Sequence, residues 1–181
     1  MAESFSSSKI SPQQLLVVGF FITILAGTGL LILPYATTQG ITLVDALFTS
    51  TSAVCVTGLI VKSTPADFTM FGKTVILVLI QIGGLGYMSM ATWIALFAGQ
   101  KIGIAQRILI KESLNVASLE GIVRFMKGML IFVLIAESIG TMILYAKFFN
   151  EYHLELPFWQ ALFHSVSAFN NAGFSLFDNS L

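Results

Sequence analysis

Ala46-Leu47-Phe48-Thr49-Ser50-Thr51-Ser52-Ala53-Val54-Cys55-Val56-Thr57-Gly58 and Ala161-Leu162-Phe163-His164-Ser165-Val166-Ser167-Ala168-Phe169-Asn170-Asn171-Ala172-Gly173 are the two stretches on which the fold turns. A shift of 115 residues lays one on the other without a gap and gives seven identities in thirteen positions. Biased composition alone rarely aligns two serines and a glycine at one offset. Leu43 to Ala53 reads as one short helix, with Thr42 and Asp45 three apart as a weak capping-box variant. In the second stretch Pro157 suits a first helical position, and Phe158 to Ala168 follow it. Eleven residues of helix span about 16 Å, half the thickness of a bilayer. Each helix runs into a loop holding a glycine, residues 54–59 and 169–174. Half a helix followed by such a loop reads as a re-entrant membrane segment.

The surroundings of these stretches fit a bilayer. Charged residues make up 10% of the chain and apolar ones 56%, against roughly a quarter charged in soluble domains. No charge occurs from Ile10 to Val44, from Ala46 to Val61 or from Thr74 to Gln100. Three segments are long enough to cross: Leu15 to Leu33, Thr74 to Ala98 and Gly128 to Ala146. Nineteen residues of helix reach about 28 Å, close to the hydrocarbon thickness. Lys9 ahead of the first segment also suits a signal peptide, but the segment is too long for the usual apolar region and no clear cleavage site follows. The reading is therefore an all-α polytopic membrane protein built from a repeated unit of span, half-helix, filter loop and span. Residues 1–14 form an N-terminus, 15–98 a first unit, 99–127 a basic connection and 128–181 a second unit that stops after its loop. About one and a half units are present.

Orientation follows from the basic residues. The connection from Gly99 to Lys127 carries Lys101, Arg107, Lys111, Arg124 and Lys127 against Glu112 and Glu120. The opposite connections, Pro34 to Thr42 and Lys147 to Leu156, contain Lys147 as their one basic residue. By the positive-inside rule the N-terminus and residues 99–127 are cytoplasmic in a multi-pass protein of the cell membrane. Both half-helices then enter from outside, with their C-terminal ends, each worth about half a negative charge, aimed at the middle of the membrane. Irregular backbone at that depth must be buried or line a cavity. Its carbonyls replace the hydration shell of a cation, and glycine supplies the backbone angles that align them. The loops contain no carboxylate, which disfavours a divalent site and favours a monovalent alkali cation. Cys55, Val56, Thr57 and Gly58 with Asn170, Asn171, Ala172 and Gly173 are the expected filter residues. Thr57 would add a hydroxyl and the two asparagines their amides.

These residues carry a resemblance. Thr51 to Leu59 and Ser167 to Phe174 resemble the first and second filter segments of the Trk/Ktr/HKT potassium transporter superfamily. Gln81-Ile82-Gly83-Gly84-Leu85-Gly86 is similar to that family's second span. Lys101-Ile102-Gly103 and Lys111-Glu112-Ser113-Leu114-Asn115 resemble the loop of the Ktr-type membrane subunit. The resemblance implies four such units in one polypeptide around one pore, each giving a filter glycine; Gly58 and Gly173 match two of them. It also implies K⁺ uptake by the complete protein, a homodimer of full-length chains, and a cytosolic nucleotide-binding ring subunit that regulates it from the side of residues 99–127. A reading frame of about 450 residues is expected from four units. No cofactor is expected; K⁺ is the transported ion, with Na⁺ a candidate for coupling, and no nucleic acid is involved. The alternative is a truncated or accessory, non-conducting membrane subunit.

Other residues have plainer readings. Glu137 lies at the centre of the third span, where an unpaired charge costs about 2.5 to 3.5 kcal/mol or more. A protonated or hydrogen-bonded contact between helices is favoured there over a coupling or gating carboxylate. His164 reads as half-helix packing, and His153 has no partner at metal-ligand spacing. Gly84 and Gly86 fail the dinucleotide fingerprint because Ser89 holds its third glycine position, so they and Gly83 read as close helix packing. Cys55, the single cysteine, excludes an intramolecular disulfide framework and would offer only its carbonyl. An enzyme is not expected: Glu137, His153 and His164 fall in three elements with no nucleophile motif.

Overall fold

A computed structural model describes residues 12–86, 89, 122–149 and 156–177. The described residues form helices and no named strand; one isolated bridge pairs Thr37 with Phe68. The helices are α1 (Pro12–Ile32), α2 (Leu43–Val54), α3 (Thr64–Asp67), α4 (Met70–Leu85), α5 (Ile122–Lys147) and α6 (Pro157–Phe169). The two short helices lie where the duplicated stretches begin. The Thr42 hydroxyl accepts the Asp45 N–H at 3.1 Å, which starts α2. Pro157, lacking an N–H, starts α6.

Each long helix differs at an end from the reading of the sequence, α1 beginning at Pro12, three residues before the expected span. α4 begins at Met70, four residues before the expected span, because the Thr69 hydroxyl caps it by accepting the Gly72 N–H at 3.3 Å. It ends at Leu85, with Gly86 beyond it at φ 79°; residues 90–98 of that stretch lie outside the described residues. α5 begins at Ile122, so Arg124 and Lys127 sit on its first turns and not in an irregular connection. Lys101, Arg107, Lys111, Glu112, Glu120 and His153 also lie outside the described residues.

Packing follows from small side chains. α1 lies on α2, α5 on α6, and α4 touches α1, α2 and α6. Leu31, Ala46, Ala53, Val54, Ile76, Ile80, Phe163, Ala172 and Phe174 form the buried centre. A Cβ on Gly72 would collide with the Ala36 carbonyl, so α4 and the α1–α2 connection approach backbone to backbone. Outward faces are apolar instead: Phe21 and Ile22 on α1, and Ile131, Phe132, Met142 and Ile143 on α5, are all exposed. Among the described residues Arg124–Lys147 is long and apolar enough to cross a membrane by length and composition, while Val17–Ile32, Leu43–Val54 and Met70–Leu85 are shorter apolar helices.

Candidate functional site

The C-terminal ends of α2 and α6 are the same structure. Val56 N–H donates to the Ala53 carbonyl at 3.3 Å and Thr57 N–H to the Ser52 carbonyl at 3.0 Å. Asn171 N–H donates to the Ala168 carbonyl at 3.0 Å and Ala172 N–H to the Ser167 carbonyl at 2.7 Å. These crossed bonds are a Schellman motif, in which the first residue past the cap must be left-handed. Val56 (φ 56°) and Asn171 (φ 55°) hold that position. Asparagine tolerates it; a β-branched valine is a backbone outlier. Two residues on, Gly58 and Gly173 both have φ 73°. Every paired position is separated by 115 residues, the offset of the sequence alignment.

The glycines bring the two loops together. A Cβ on Gly58 would stand 2.8 Å from the Ala172 carbonyl oxygen and 3.0 Å from the Gly173 Cα. One on Gly173 would stand 3.1 Å from the Gly58 Cα. Side chain is thereby excluded from the point of contact, whatever its polarity. The carbonyl oxygens of Cys55 to Gly58 and Asn170 to Gly173 accept no hydrogen bond from the described residues. Such oxygens carry a partial negative charge and stand beside two helix C-termini, an arrangement that attracts cations. Among the described residues no cluster of three His, Cys, Asp or Glu is placed to hold a metal ion.

Not every expected ligand atom is directed to this point. The Thr57 hydroxyl donates to Ser52 Oγ at 2.9 Å. The Asn170 amide nitrogen donates to Gln81 Oε1 at 2.9 Å and to the Val166 carbonyl at 2.9 Å. The hydroxyl hydrogen of Thr57 and the amide hydrogens of Asn170 are thus spent on bracing the loops, while the Thr57 oxygen keeps its lone pairs. Cys55 is a free, exposed thiol.

Serines anchor each short helix to its neighbouring long one. Ser50 Oγ donates to the Ile24 carbonyl on α1 at 2.8 Å, and Ser165 Oγ donates to the Glu137 carbonyl on α5 at 2.8 Å. Thr28 and Thr141 hydroxyls donate to the same two carbonyls at 2.8 Å and 2.7 Å. Gly27 and Gly140 leave room for the serines, since a Cβ on either would collide with the serine Oγ. Sequence reading missed these anchors. Their signal is the dipeptide Gly-Thr at 27–28 and again at 140–141, at a spacing of 113 rather than 115.

Glu137 is buried, with 8% of its surface exposed, and its Oε1 accepts Gln81 Nε2 at 2.8 Å. Its side chain thus makes a hydrogen-bonded contact between α5 and α4. His164 is buried as expected of packing, and it also ties down the chain after the second loop. Leu176 N–H donates to its Nε2 at 3.1 Å, so the proton sits on Nδ1, which donates to the Gln160 carbonyl at 2.7 Å. Its ring stacks on Phe177 at 4.8 Å. Gly83 and Gly84 serve close packing: added Cβ atoms would meet the Val54 carbonyl and the Asn170 side chain.

Comparison with known proteins gives a consistent picture. The family model described as TrkH, cation transport protein, matches residues 4–181. The chain is 44% identical over 173 residues to Ktr system potassium uptake protein B of Bacillus subtilis (strain 168), covering 96% of this chain and 39% of that protein. It is 41% identical over 175 residues to potassium/sodium uptake protein NtpJ of Enterococcus hirae, with coverage of 96% and 39%. To Ktr system potassium uptake protein B of Vibrio alginolyticus it is 39% identical over 174 residues, with coverage of 96% and 38%. The chain thus spans about two fifths of the length of these relatives.

Proposed function

The chain belongs to the TrkH family of cation transport proteins, and from that premise we propose that it supplies two of the filter segments of a K⁺ uptake system in the cell membrane. α2 and α6 are the re-entrant half-helices of two repeated units, and α1, α4 and α5 belong to its membrane spans. Loops 54–59 and 169–174 offer backbone carbonyls to a dehydrated monovalent cation. The names of the relatives, two potassium uptake proteins and a potassium/sodium uptake protein, support the substrate. The observation that carries the reading is the pair of superimposable loop backbones meeting at Gly58 and Gly173, with carbonyls that bond to no described donor.

Ion selection then rests on geometry. The Schellman turn stops each helix, the left-handed residue turns the chain, and the glycine lets the next carbonyls stand clear of side chains. Electrostatic attraction comes from the helix ends and peptide dipoles, with no carboxylate in either loop. In this reading the complete protein works as a homodimer on a cytosolic nucleotide-binding ring, and the N-terminus and residues 99–127 face that ring. Expression of the full-length protein in a host lacking K⁺ uptake tests the substrate. Growth at low K⁺ is expected; failure of growth with the protein present in the membrane would overturn the reading.

A further inference from the structure

The two loops share a backbone but are held in place by different means. Behind the first loop α4 packs directly on α2: Gly83 admits the Val54 carbonyl, and the following Cys55 thiol is exposed. Behind the second loop the contact is a directional chain of side chains. Glu137 on α5 accepts from Gln81 Nε2 at 2.8 Å. Gln81 Oε1 on α4 accepts from Asn170 Nδ2 at 2.9 Å. The second Asn170 amide hydrogen goes to the Val166 carbonyl at 2.9 Å, and its oxygen lies against Gly84.

Glu137 Oε1 accepts the Gln81 Nε2 hydrogen, and that bond fixes which end of the Gln81 amide faces it. That orientation leaves the Gln81 oxygen for Asn170 and fixes the Asn170 amide in turn. Asn170 caps α6 and immediately precedes the left-handed Asn171. In the first unit Ile24 stands where Glu137 stands in the second, since their carbonyls receive the matching serine and threonine hydroxyls. The carboxyl is therefore dispensable for anchoring the half-helix. Its side chain has a separate task.

We propose that Glu137 is a positioning residue for the second filter loop, acting on Asn170 through Gln81 and by its own side-chain contact with Asn170 to set where that loop meets Gly58. The proposal rests on the reading of the loops as cation filters. It makes the relay, and not the charge of Glu137, the determinant: a neutral side chain of the same shape that still accepts from Gln81 would serve.

The test compares K⁺ and Na⁺ uptake by the full-length transporter carrying E137Q, E137M or the double change E137M/Q81M. E137Q keeps an oxygen facing Gln81 and should retain the wild-type K⁺/Na⁺ preference. E137M breaks the relay and should lower that preference about fivefold, the weight of one hydrogen bond. Should E137M fold poorly, the double change also removes the Gln81 donor that E137M strands, and because it takes the Gln81 acceptor from Asn170 as well, at least the same loss of preference is expected from it. Unchanged preference in the folded methionine variants would overturn the proposal, and so would an E137Q as impaired as E137M. A wild-type protein that moves no K⁺ would instead sink the transport reading itself.

Discussion

Val56 and Asn171 occupy one backbone conformation with very different ease. The left-handed region costs an ordinary side chain about 1 to 2 kcal/mol, and valine is among the worst placed to accept it. That a β-branched residue stays there indicates surroundings that over-determine the turn. The glycines two residues later face a harder limit, because strain and space act together. At Gly58 and Gly173 an added Cβ would stand 2.8 Å and 3.1 Å from the opposing loop, inside van der Waals contact, and must also adopt φ 73°. Gly58→Ser and Gly173→Ser should each reduce the K⁺/Na⁺ preference of the full-length protein by about tenfold, the equivalent of that backbone cost. Expression should change little. Uptake assays with competing Na⁺ check this, and an unaltered preference in Gly173→Ser would show that the second loop is no filter.

At the scale of elements, the recurring device is a short helix hung on a long one by a serine over a glycine. Ser165 bonds to a main-chain carbonyl that Thr141 already satisfies, so its contribution is chiefly position. Hydrogen bonds between helices in membranes average only about 0.6 kcal/mol. Close approach matters more. Gly140→Ala should cost about 1 to 3 kcal/mol by overpacking, read as a lower melting temperature of the purified full-length protein. Adding Ser165→Ala removes the atom in the way and should recover most of that loss. Gly29→Ala, inside α1 where nothing lies within 4 Å, is the control without overpacking and should leave stability unchanged or raise it slightly, alanine being the better helix former. Strictly additive losses in the Gly140→Ala/Ser165→Ala pair would mean that the two residues do not oppose each other.

At the scale of the whole molecule, this chain spans about two fifths of its relatives' length. Its exposed apolar faces on α1 and α5 suit lipid or further helices. Regulation belongs to this scale. Ile108, Leu109 and Leu114 alternate with Arg107, Lys111 and Glu112 in a pattern that a purely solvated connection would not need. In the proposed assembly this segment lies against the nucleotide-binding ring. Charge reversal at Arg107 and Lys111 should weaken co-purification of the ring subunit, and the difference from the unaltered protein should shrink as salt rises. Regulator binding that is unchanged, with normal insertion, would leave the basic residues as an orientation signal.

Much of this was legible in residues alone. Uncharged runs and the duplicated Ala-Leu-Phe to Gly stretches determine a helical chain with two short helices and two glycine loops, because composition and spacing act locally. The caps at Thr42 and Pro157 and the positions of Gly58 and Gly173 are of the same kind. Tertiary structure alone decided how these pieces meet. The serine anchors escaped notice because their partners lie 26 and 28 residues away and because the long helices repeat at a different offset from the loops. Packing alone decided that the Asn170 amide hydrogens and the Thr57 hydroxyl hydrogen go to Gln81, Val166 and Ser52. Glu137 and Gln81 stand 56 residues apart, and nothing in either neighbourhood marks them as a pair. Local chemistry specifies an element; which buried polar groups satisfy one another depends on helices brought side by side, where every unsatisfied donor or acceptor carries a cost.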